Sequence, residues 1–393
     1  MTFFELQIDR MKRLFWYTMA VIMRAFIRIK NNRIFFYAYS FDKYSCNPRF
    51  LTEYILENHP NDFEIIWAFD KTFDASIIDK RIKVVRLNTF KYLLGMYSSK
   101  FIVNNRRAIT LGDYFIKKNN QKYLMLWHGS FPLKKIEKDA AKELGPKYVK
   151  RAKNDSKMCD LMISDSLFYE KIIRQSFWYN GEVLRSGVPR NDIFYNHALS
   201  NKYNNDVRKR FNIPQNGKVV LYAPTFRKNR SLDYYKLNWT RVIDSLEHFL
   251  DGPVTVFFRL HPLLSKLKNI ESIINDGRIY NVTSAPDITE FLLTADVMIS
   301  DYTSAMFDFS RLQRPCFIYA IDSESYNRGF YLNLNDLPFP IATNEDELVN
   351  NIQKFDITKY KSELAFFTDN KWQLFEDGHA CENLYNWIKN NQS

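Results

Sequence analysis

An apolar strand that runs directly into a helix is visible in Val297-Met-Ile-Ser-Asp-Tyr-Thr-Ser-Ala-Met-Phe-Asp-Phe309. The run Val297–Ser300 has the short, continuous apolar character of a strand that is covered on both faces of a parallel sheet. Thr303 and Ser304 follow where the helix opens, and the free amides and the helix dipole at that point favour a phosphate group. Helix capping alone also explains the two hydroxyl groups.

The same order of strand, polar loop and helical period recurs along the chain, which is typical of βαβ units. The strands predicted in the first half are Arg33–Ser40, Glu64–Asp70, Lys83–Leu87, Phe101–Asn104, Tyr123–Trp127, Leu161–Ser164 and Val183–Ser186. Those predicted in the second half are Lys218–Ala223, Val254–Leu260, Ile279–Val282, Val297–Ser300 and Cys316–Tyr319. We therefore predict an α/β fold with two doubly wound parallel sheets, whose functional loops lie at the carboxyl ends of the strands.

The domain boundaries follow from these two sets of strands, since 393 residues exceed one ordinary core. The stretch between the sets is polar and rich in Asn and Lys, and we interpret it as a linker. The predicted order is a basic amphipathic segment at 1–30, a Rossmann-like domain at 31–197, a linker at 198–217, a second Rossmann-like domain at 218–371 and a C-terminal helix at 372–393. By analogy with two-domain transferases, that helix is expected to cross back to the first domain.

The composition of the chain limits which classes of partner and cofactor are expected. The chain has 56 basic against 44 acidic residues, and this net charge of +12 favours anionic partners. The cysteines are scattered without a CxxC spacing, which indicates neither a zinc site nor a disulfide framework and fits a reducing cytoplasm. Because GxGxxG, GxxxxGK[ST], HExxH and Asp-x-Asp motifs are all absent from the sequence, we predict no dinucleotide cofactor and a metal-independent reaction.

The N-terminal segment has an apolar run, Leu14–Met23, that is about half the length of a spanning helix, so no transmembrane span or secretory signal is predicted. Basic residues flank the run, and Phe15, Trp16 and Tyr17 lie within it. This pattern is typical of an interfacial helix on anionic lipid. A buried first helix of the N-terminal domain is the alternative. The basic residues are Arg10, Lys12, Arg13, Arg24, Arg28, Lys30 and Arg33.

The first candidate site is the end of a strand in Leu126-Trp-His-Gly-Ser-Phe-Pro-Leu-Lys-Lys-Ile-Glu-Lys-Asp139. Histidine as a residue type titrates near neutrality, so His128 is a candidate base for removing a proton from an attacking hydroxyl group. Gly129 allows backbone amides to approach an anion closely, and Lys134 and Lys135 would screen acceptor phosphates. The alternative is a histidine that caps the following helix beside two solvated lysines.

Two further strand ends carry basic side chains. In Val254-Thr-Val-Phe-Phe-Arg-Leu-His-Pro262, the alternation of a strand places Arg259 and His261 on the same side, which suits a pyrophosphate group. An arginine that pairs with a carboxylate, followed by a His-Pro turn, is the alternative. In Val220-Leu-Tyr-Ala-Pro-Thr-Phe-Arg227, Thr225 and Arg227 follow a strand, and Arg227 is either a phosphate clamp or a surface arginine beside Lys228 and Arg230.

Taken in order, five segments resemble the CDP-glycerol glycerophosphotransferase family, whose members build teichoic acids and related capsular polymers. The segments are Trp127-His-Gly-Ser130, Ser186-Gly-Val-Pro-Arg-Asn-Asp192, Tyr222-Ala-Pro-Thr-Phe-Arg227, Arg259-Leu-His-Pro262 and Ser300-Asp-Tyr-Thr-Ser304 through Phe309. Arg314-Pro315, Arg328-Gly-Phe330 and Asp377-Gly378 also fall where that family has similar residues. The resemblance covers the chain from about Tyr123 onward.

The resemblance implies a GT-B fold with a central cleft, in which 31–197 receives the acceptor and 218–371 binds a CDP-activated polyol. CDP-glycerol would be the substrate, CMP the leaving group, and a lipid-linked or polymeric envelope chain the acceptor. The family relies on two catalytic histidines, which His128 and His261 match, and His128 is the expected base. The residues matched to the donor pyrophosphate are Thr225, Arg227, Arg259, His261, Thr303 and Ser304. Those expected at the acceptor or in the cleft are Gly129, Ser130, Lys134, Lys135, Arg190, Asn191, Asp192 and Asp301. Asp301 and Asp308 suit structural or substrate-orienting roles better than metal binding.

The sequence departs from the family where His-Gly-Thr-Pro-Leu-Lys-Lys is usual. Here Ser130 replaces threonine and Phe131 is an additional residue, so the acceptor loop is expected to differ. The location implied is the inner face of the bacterial plasma membrane, with the protein bound peripherally. Alternatives are transfer from CDP-ribitol, transfer of another polyol or sugar phosphate, and a GT-B glycosyltransferase that uses a sugar nucleotide. A basic RNA-binding module is a further alternative, but the charge is spread and no RNP1 motif is present, so no nucleic-acid partner is predicted.

Overall fold

The computed structural model describes residues 3–107, 116–227, 231–261, 264, 270–323 and 329–393. Some residues named above lie outside the described residues: Lys228, Arg230, Pro262 and Arg328. The side chains of Arg10, Lys12 and Arg13 also lie outside them. The chain divides into two compact units. The first comprises Met1–His128, Glu137–Asp192 and Phe375–Ser393, and the second comprises Gly129–Ile136 and Ile193–Leu374.

The first unit is built on a parallel sheet. Its strands are β1 Lys30–Phe36, β2 Glu64–Phe69, β3 Lys83–Arg86, β4 Ser99–Asn104, β5 Lys122–Met125, β6 Leu161–Ile163 and β7 Glu182–Leu184. In the part of the chain that the structure describes, they lie in the order β3-β2-β1-β4-β5-β6-β7. The inner strands contain buried apolar runs such as Ile34–Phe36, Ile65–Phe69 and Phe101–Val103, as expected when helices cover both faces. The strand order reverses between β1 and β4, which makes their carboxyl ends the topological switch point.

Most helices of the first unit lie in the connections between these parallel strands, whereas the first and the last of them do not. These helices are α1 Phe3–Phe26, α2 Cys46–Asn58, α3 Phe90–Ser98, α4 Ala141–Leu144, α5 Pro146–Met158, α6 Leu167–Ser176 and α14 Ala380–Asn390, numbered with those of the second unit in chain order. Thr89 and Ser166 cap α3 and α6, each by accepting a backbone N–H through its side-chain hydroxyl. Leu384 and Ile388 of α14 join the core that Ile34, Trp67 and Phe101 form.

The second unit contains the strands β8 Lys218–Tyr222, β9 Val254–Phe258, β10 Ile279–Asn281, β11 Val297–Ser300, β12 Cys316–Tyr319 and β13 Ile341–Ala342. They form a parallel sheet in the order β10-β9-β8-β11-β12-β13. The switch point therefore lies at the carboxyl ends of β8 and β11. The helices are α7 Asp192–Tyr195, which begins at the boundary of the units, α8 His197–Arg210, α9 Trp239–Leu250, α10 Thr289–Thr294, α11 Ala305–Ser310, α12 Glu345–Gln353 and α13 Ile357–Phe367.

The prediction of two doubly wound parallel sheets is confirmed, and every predicted strand has a counterpart, although β1 begins and ends before the predicted Arg33–Ser40. The short edge strand β13 was not predicted, because two residues carry no periodic signal. The helix predicted from Trp372 begins instead at Ala380, since Gly378 adopts a positive φ of 89° just before it. The stretch predicted as a linker contains α8, whose Val207 is buried.

The helix α1 packs through one side and exposes another. Ala20 is buried, and the Trp16 ring lies 5.8 Å from that of Phe90. The exposed apolar side chains follow a helical spacing of three and four residues; they are Met11, Leu14, Phe15, Val21, Ile22 and Phe26. Within the described ranges, no helix has the length and apolarity needed to cross a membrane.

Candidate active site

His128 lies just beyond β5 in the first unit, beside the switch point of that sheet. Its Nδ1 atom is 2.8 Å from the carbonyl oxygen of Asn105, the residue that follows β4. Because a carbonyl oxygen only accepts hydrogen bonds, Nδ1 carries the proton of the neutral ring and Nε2 carries the lone pair. The ring is flanked by Trp127 at 4.4 Å and by Tyr39 at 5.9 Å. This geometry suits a general base that acts through Nε2.

The segment that follows His128 is part of the second unit. Ser130 donates a 2.7 Å hydrogen bond to the buried carboxylate of Asp308, and the Phe131 ring stacks 3.9 Å from that of Phe307. A Cβ atom on Gly129 would stand 3.3 Å from the Ser304 hydroxyl, so glycine permits a close approach here. The additional residue Phe131 is therefore a buried anchor of this segment.

The two predicted lysines lie on a backbone pairing within the second unit. Lys134 forms an antiparallel bridge with Phe330, and the N–H of Lys135 donates to the carbonyl of Gly329 at 3.0 Å. Lys135 is exposed and Lys134 is half-buried. The pairing fixes the backbone that carries both charges.

Arg227 sits at the switch point of the second sheet and is largely buried, which excludes the surface alternative. Its guanidinium pairs with Asp322 at 2.6 Å and with Asp301 at 2.9 Å, and it donates to the Thr225 hydroxyl at 2.6 Å. These contacts raise the pKa of Arg227, although its burial acts in the opposite direction. Since two carboxylates neutralise the guanidinium, the geometry disfavours the predicted phosphate clamp and favours a structural frame.

Asp301 completes this frame. It accepts the Thr225 N–H at 2.9 Å and the Thr225 hydroxyl at 3.1 Å, which joins the ends of β8 and β11. Burial and the charge of Asp322 raise the pKa of Tyr302, whose hydroxyl also donates to Asp322 at 2.9 Å. The predicted cleft role of Asp301 is therefore accompanied by an observed structural one.

Arg259 and His261 follow β9 in the second unit. The Arg259 guanidinium donates to the carbonyls of Val282 at 2.8 Å and Ala285 at 2.9 Å, and it is largely buried. Both of these acceptors are backbone carbonyls, which orient the guanidinium plane. His261 is exposed, with its ring 5.6 Å from that of Phe226.

Thr303 and Ser304 lie at the start of α11, as the sequence indicates. The Thr303 hydroxyl accepts the Ala305 N–H at 3.3 Å, which is a capping contact. Ser304 makes no capping hydrogen bond through its side chain. Both side chains are half-buried.

The predicted acceptor residues Arg190, Asn191 and Asp192 are buried or nearly so in the first unit. Asp192 accepts the N–H groups of Ala380 at 2.9 Å and Cys381 at 2.7 Å, and it therefore caps α14. Burial raises the pKa of this carboxyl to about 6, against the effect of these two hydrogen bonds. The Asn191 amide lies 3.4 Å from the Glu376 carboxylate. Asn191 and Asp192 thus hold the C-terminal segment in the first unit.

Three buried residues of the first unit were missed by the sequence analysis. Asn47 bonds the backbone just before His128, Asn105 bonds its ring, and Arg107 lies between Glu137 at 2.9 Å and Asp155 at 3.1 Å. The only available signal was the polar run Asn104-Asn-Arg-Arg107 after a strand, because Asn47 is distant in sequence.

All four cysteines are buried and none forms a disulfide. The described residues contain no cluster of three or more potential metal ligands from His, Cys, Asp and Glu.

Two doubly wound parallel sheets, with His128 beside the first switch point and Thr225 and Arg227 at the second, have the architecture of the GT-B class. The chain belongs to the CDP-Glycerol:Poly(glycerophosphate) glycerophosphotransferase family, whose model matches residues 17–390.

Comparison with known proteins gives the same family. The chain is 29% identical over 390 residues to a teichoic acid poly(glycerol phosphate) polymerase of Bacillus subtilis, and the match covers 95% of this chain and 50% of the polymerase. It is 30% identical over 392 residues to a teichoic acid glycerol-phosphate transferase of Staphylococcus aureus, covering 96% and 98%. A solved structure of the wall teichoic acid polymerase TagF, a variant soaked with CDPG, has a TM-score of 0.83 at 27% identity, covering 99% of this chain and 97% of that one. The chain thus spans half the length of the B. subtilis polymerase.

Proposed function

We propose that this chain transfers glycerol phosphate from CDP-glycerol to a hydroxyl group of a lipid-linked or polymeric envelope acceptor and releases CMP. The observation that carries the proposal is the placement of His128, whose Nδ1 is committed to the Asn105 carbonyl at 2.8 Å so that Nε2 is the basic atom. Family membership supplies the donor, and the names of the relatives supply the class of acceptor.

In the proposed reaction, Nε2 of His128 removes the proton of the acceptor hydroxyl as its oxygen attacks the phosphorus that bears glycerol. The bond from that phosphorus to the bridging oxygen breaks, and the oxygen leaves with the electron pair as part of CMP. This reaction needs no redox step and no additional cofactor, and we propose that it is independent of metal ions.

We assign charge stabilisation on the leaving CMP to Arg259 and His261, with Thr303 and Ser304 as further donors. The Arg259 guanidinium is largely buried and is oriented by the two carbonyls that it contacts, which preorganises its donors. Thr225, Arg227 and Asp301 hold the ends of β8 and β11 together in this assignment. Lys134, Lys135 and Arg190 remain proposed acceptor-side residues.

The test is product formation by the purified chain from CDP-glycerol, CDP-ribitol or a UDP-sugar, each with lipid-linked acceptor and excess EDTA. The proposal expects CMP from CDP-glycerol at a rate that EDTA does not change. Turnover of CDP-ribitol alone would transfer the assignment to ribitol phosphate, and release of UDP would point to the glycosyltransferase alternative.

We also propose that α1 lies on the anionic inner face of the plasma membrane. Support comes from its exposed apolar side chains, with Leu14 67% and Phe26 80% exposed, and from basic residues on both sides of the apolar run. The variant Leu14→Glu/Ile22→Glu should abolish sedimentation with anionic vesicles. The control Leu199→Glu/Ile357→Glu changes two exposed apolar residues elsewhere and should still sediment. Equal sedimentation of both variants would contradict this proposal.

A further inference from the structure

The backbone immediately before His128 is held in an unusual conformation. Trp127 has a φ of 50°, in the left-handed region that bulky residues rarely adopt. Such a conformation persists only where the surroundings impose it, and it is frequent at functional sites. Because Trp127 is joined directly to His128, its φ determines the direction in which the chain presents the histidine.

The side chain of Asn47 imposes this conformation. It lies in the first turn of α2, fully buried, and its Nδ2 donates to the carbonyl of Leu126 at 3.0 Å and to that of Trp127 at 2.9 Å. Its Oδ1 accepts the N–H of Arg190 at 3.2 Å. One amide thus uses both donors and its acceptor on backbone groups, which fixes the carbonyl of Trp127 relative to α2.

The ring of His128 is fixed from its other side. Asn105 presents its backbone carbonyl to Nδ1, and its own side-chain Oδ1 accepts the N–H of Tyr39 at 2.8 Å. The loops after β1 and β4 therefore set the ring, whereas α2 sets the backbone that carries it. The contact with Asn105 orients the His128 ring, and the contacts with Asn47 hold its backbone. Loss of the Asn47 amide would leave the ring bonded to Asn105 but would allow the backbone of Trp127 and His128 to relax.

We propose that Asn47 is a positioning residue that acts through Trp127 to aim His128 at the acceptor hydroxyl. This inference rests on the proposed function, in which His128 is the general base. Asn47 contacts no reacting atom in this account, and its effect is on kcat rather than on binding of the donor. A small displacement of a catalytic group is enough to lower a rate by about 100-fold.

The test is Asn47→Asp, which has the same size and keeps the acceptor for Arg190 but loses the donor to the two carbonyls. We expect kcat for CMP release to fall by about 10- to 100-fold while the KM for CDP-glycerol is unchanged. The matched control is Asn58→Asp on the same helix, where the exposed Asn58 amide donates to the Tyr54 carbonyl at 3.0 Å. The control should keep the kcat of the unmodified chain. If Asn47→Asp does not fold, Asn47→Ser, which places no charge against the carbonyls, is measured in its place.

A second measurement separates positioning from general structural damage. In a His128→Asn background, Asn47→Asp should lower the residual activity no further, because there is no base left to aim. An additional loss in that background, or an unchanged kcat for Asn47→Asp alone, would overturn the inference. Full activity of His128→Asn by itself would instead refute the proposed function, so the two failures are distinguishable.

Discussion

The switch points of the two sheets are built in opposite ways. At the first, His128 is held by neutral groups: a carbonyl of Asn105 and, through the backbone, the amide of Asn47. At the second, Arg227 is buried between the carboxylates of Asp301 and Asp322. Neutral partners orient an imidazole without placing a charge beside it, whereas buried ion pairs cancel the charges that they hold in place. The first design suits a base, and the second suits a rigid frame.

The comparison also separates the two arginines of the second unit. Arg227 has two carboxylate partners, and the described hydrogen bonds of Arg259 go to carbonyls. Carboxylate partners weaken the attraction of the Arg227 guanidinium for a phosphate. The sequence places both arginines at strand ends. Their hydrogen-bond partners in the structure distinguish the structural role of Arg227 from the proposed phosphate-binding role of Arg259.

The largest expected effect is on catalysis at the first switch point. His128→Asn removes the base and should lower kcat for CMP release by about 1,000-fold, within the usual range for general base catalysis. The ring is only half-buried, so the free energy of unfolding should change little. Steady-state kinetics and urea unfolding on the same preparation check both statements. A large fall in the free energy of unfolding of His128→Asn would mean that His128 is mainly structural.

The next effect is on stability at the second switch point. Arg227→Met leaves the buried carboxylate of Asp301 and the partly buried one of Asp322 without their cation and should lower the free energy of unfolding by about 3–5 kcal/mol. Urea unfolding measures the change. The control is Arg241→Met on α9, where an exposed arginine pairs with Asp346 at 2.6 Å, and its stability should hardly change. Similar results for the two variants would remove the distinction between a buried frame and a surface pair.

The smallest expected effect concerns Asp192, which caps α14. Burial raises its pKa from 3.8 to about 6 in the folded chain, so the folded state binds this proton more tightly than the unfolded state. The contribution of Asp192 to stability is therefore full below about pH 4 and is lost as the pH rises through 6, by at most about 3 kcal/mol. Asp192→Asn should remove this slope from the pH dependence of stability. An identical slope in both proteins would contradict the raised pKa.

The sheets were predictable because their strands are continuous apolar runs between polar loops, a local signal. The positions of His128, Arg259 and Thr303 at strand ends followed from the same runs. Partners that are distant along the chain left no signal of that kind. Asp322 lies 95 residues beyond Arg227, and Ala380 lies 188 residues beyond Asp192. Asn47 was missed for the same reason, since a lone asparagine at the start of a helix resembles any other.

For the site, the sequence therefore predicted which residue types are present better than it predicted which residues contact each other. It named the side chains that carry charge or a proton, but it did not predict the contacts that Arg227 and Asp192 make. In the structure, Arg227 donates to the backbone carbonyl of Thr225, and Asp192 accepts backbone N–H groups at the start of α14. The segment Gly129–Ile136 shows the same limit, because its packing in the second unit depends on the contacts of Ser130 and Phe131.

The most direct test of the account is the ratio of CMP released to glycerol phosphate incorporated into acceptor, measured with CDP-glycerol labelled in its glycerol. The account predicts one CMP for each glycerol phosphate transferred, and loss of both products together in His128→Asn. CMP release without incorporation, or incorporation that persists in His128→Asn, would contradict a transfer in which His128 activates the acceptor hydroxyl.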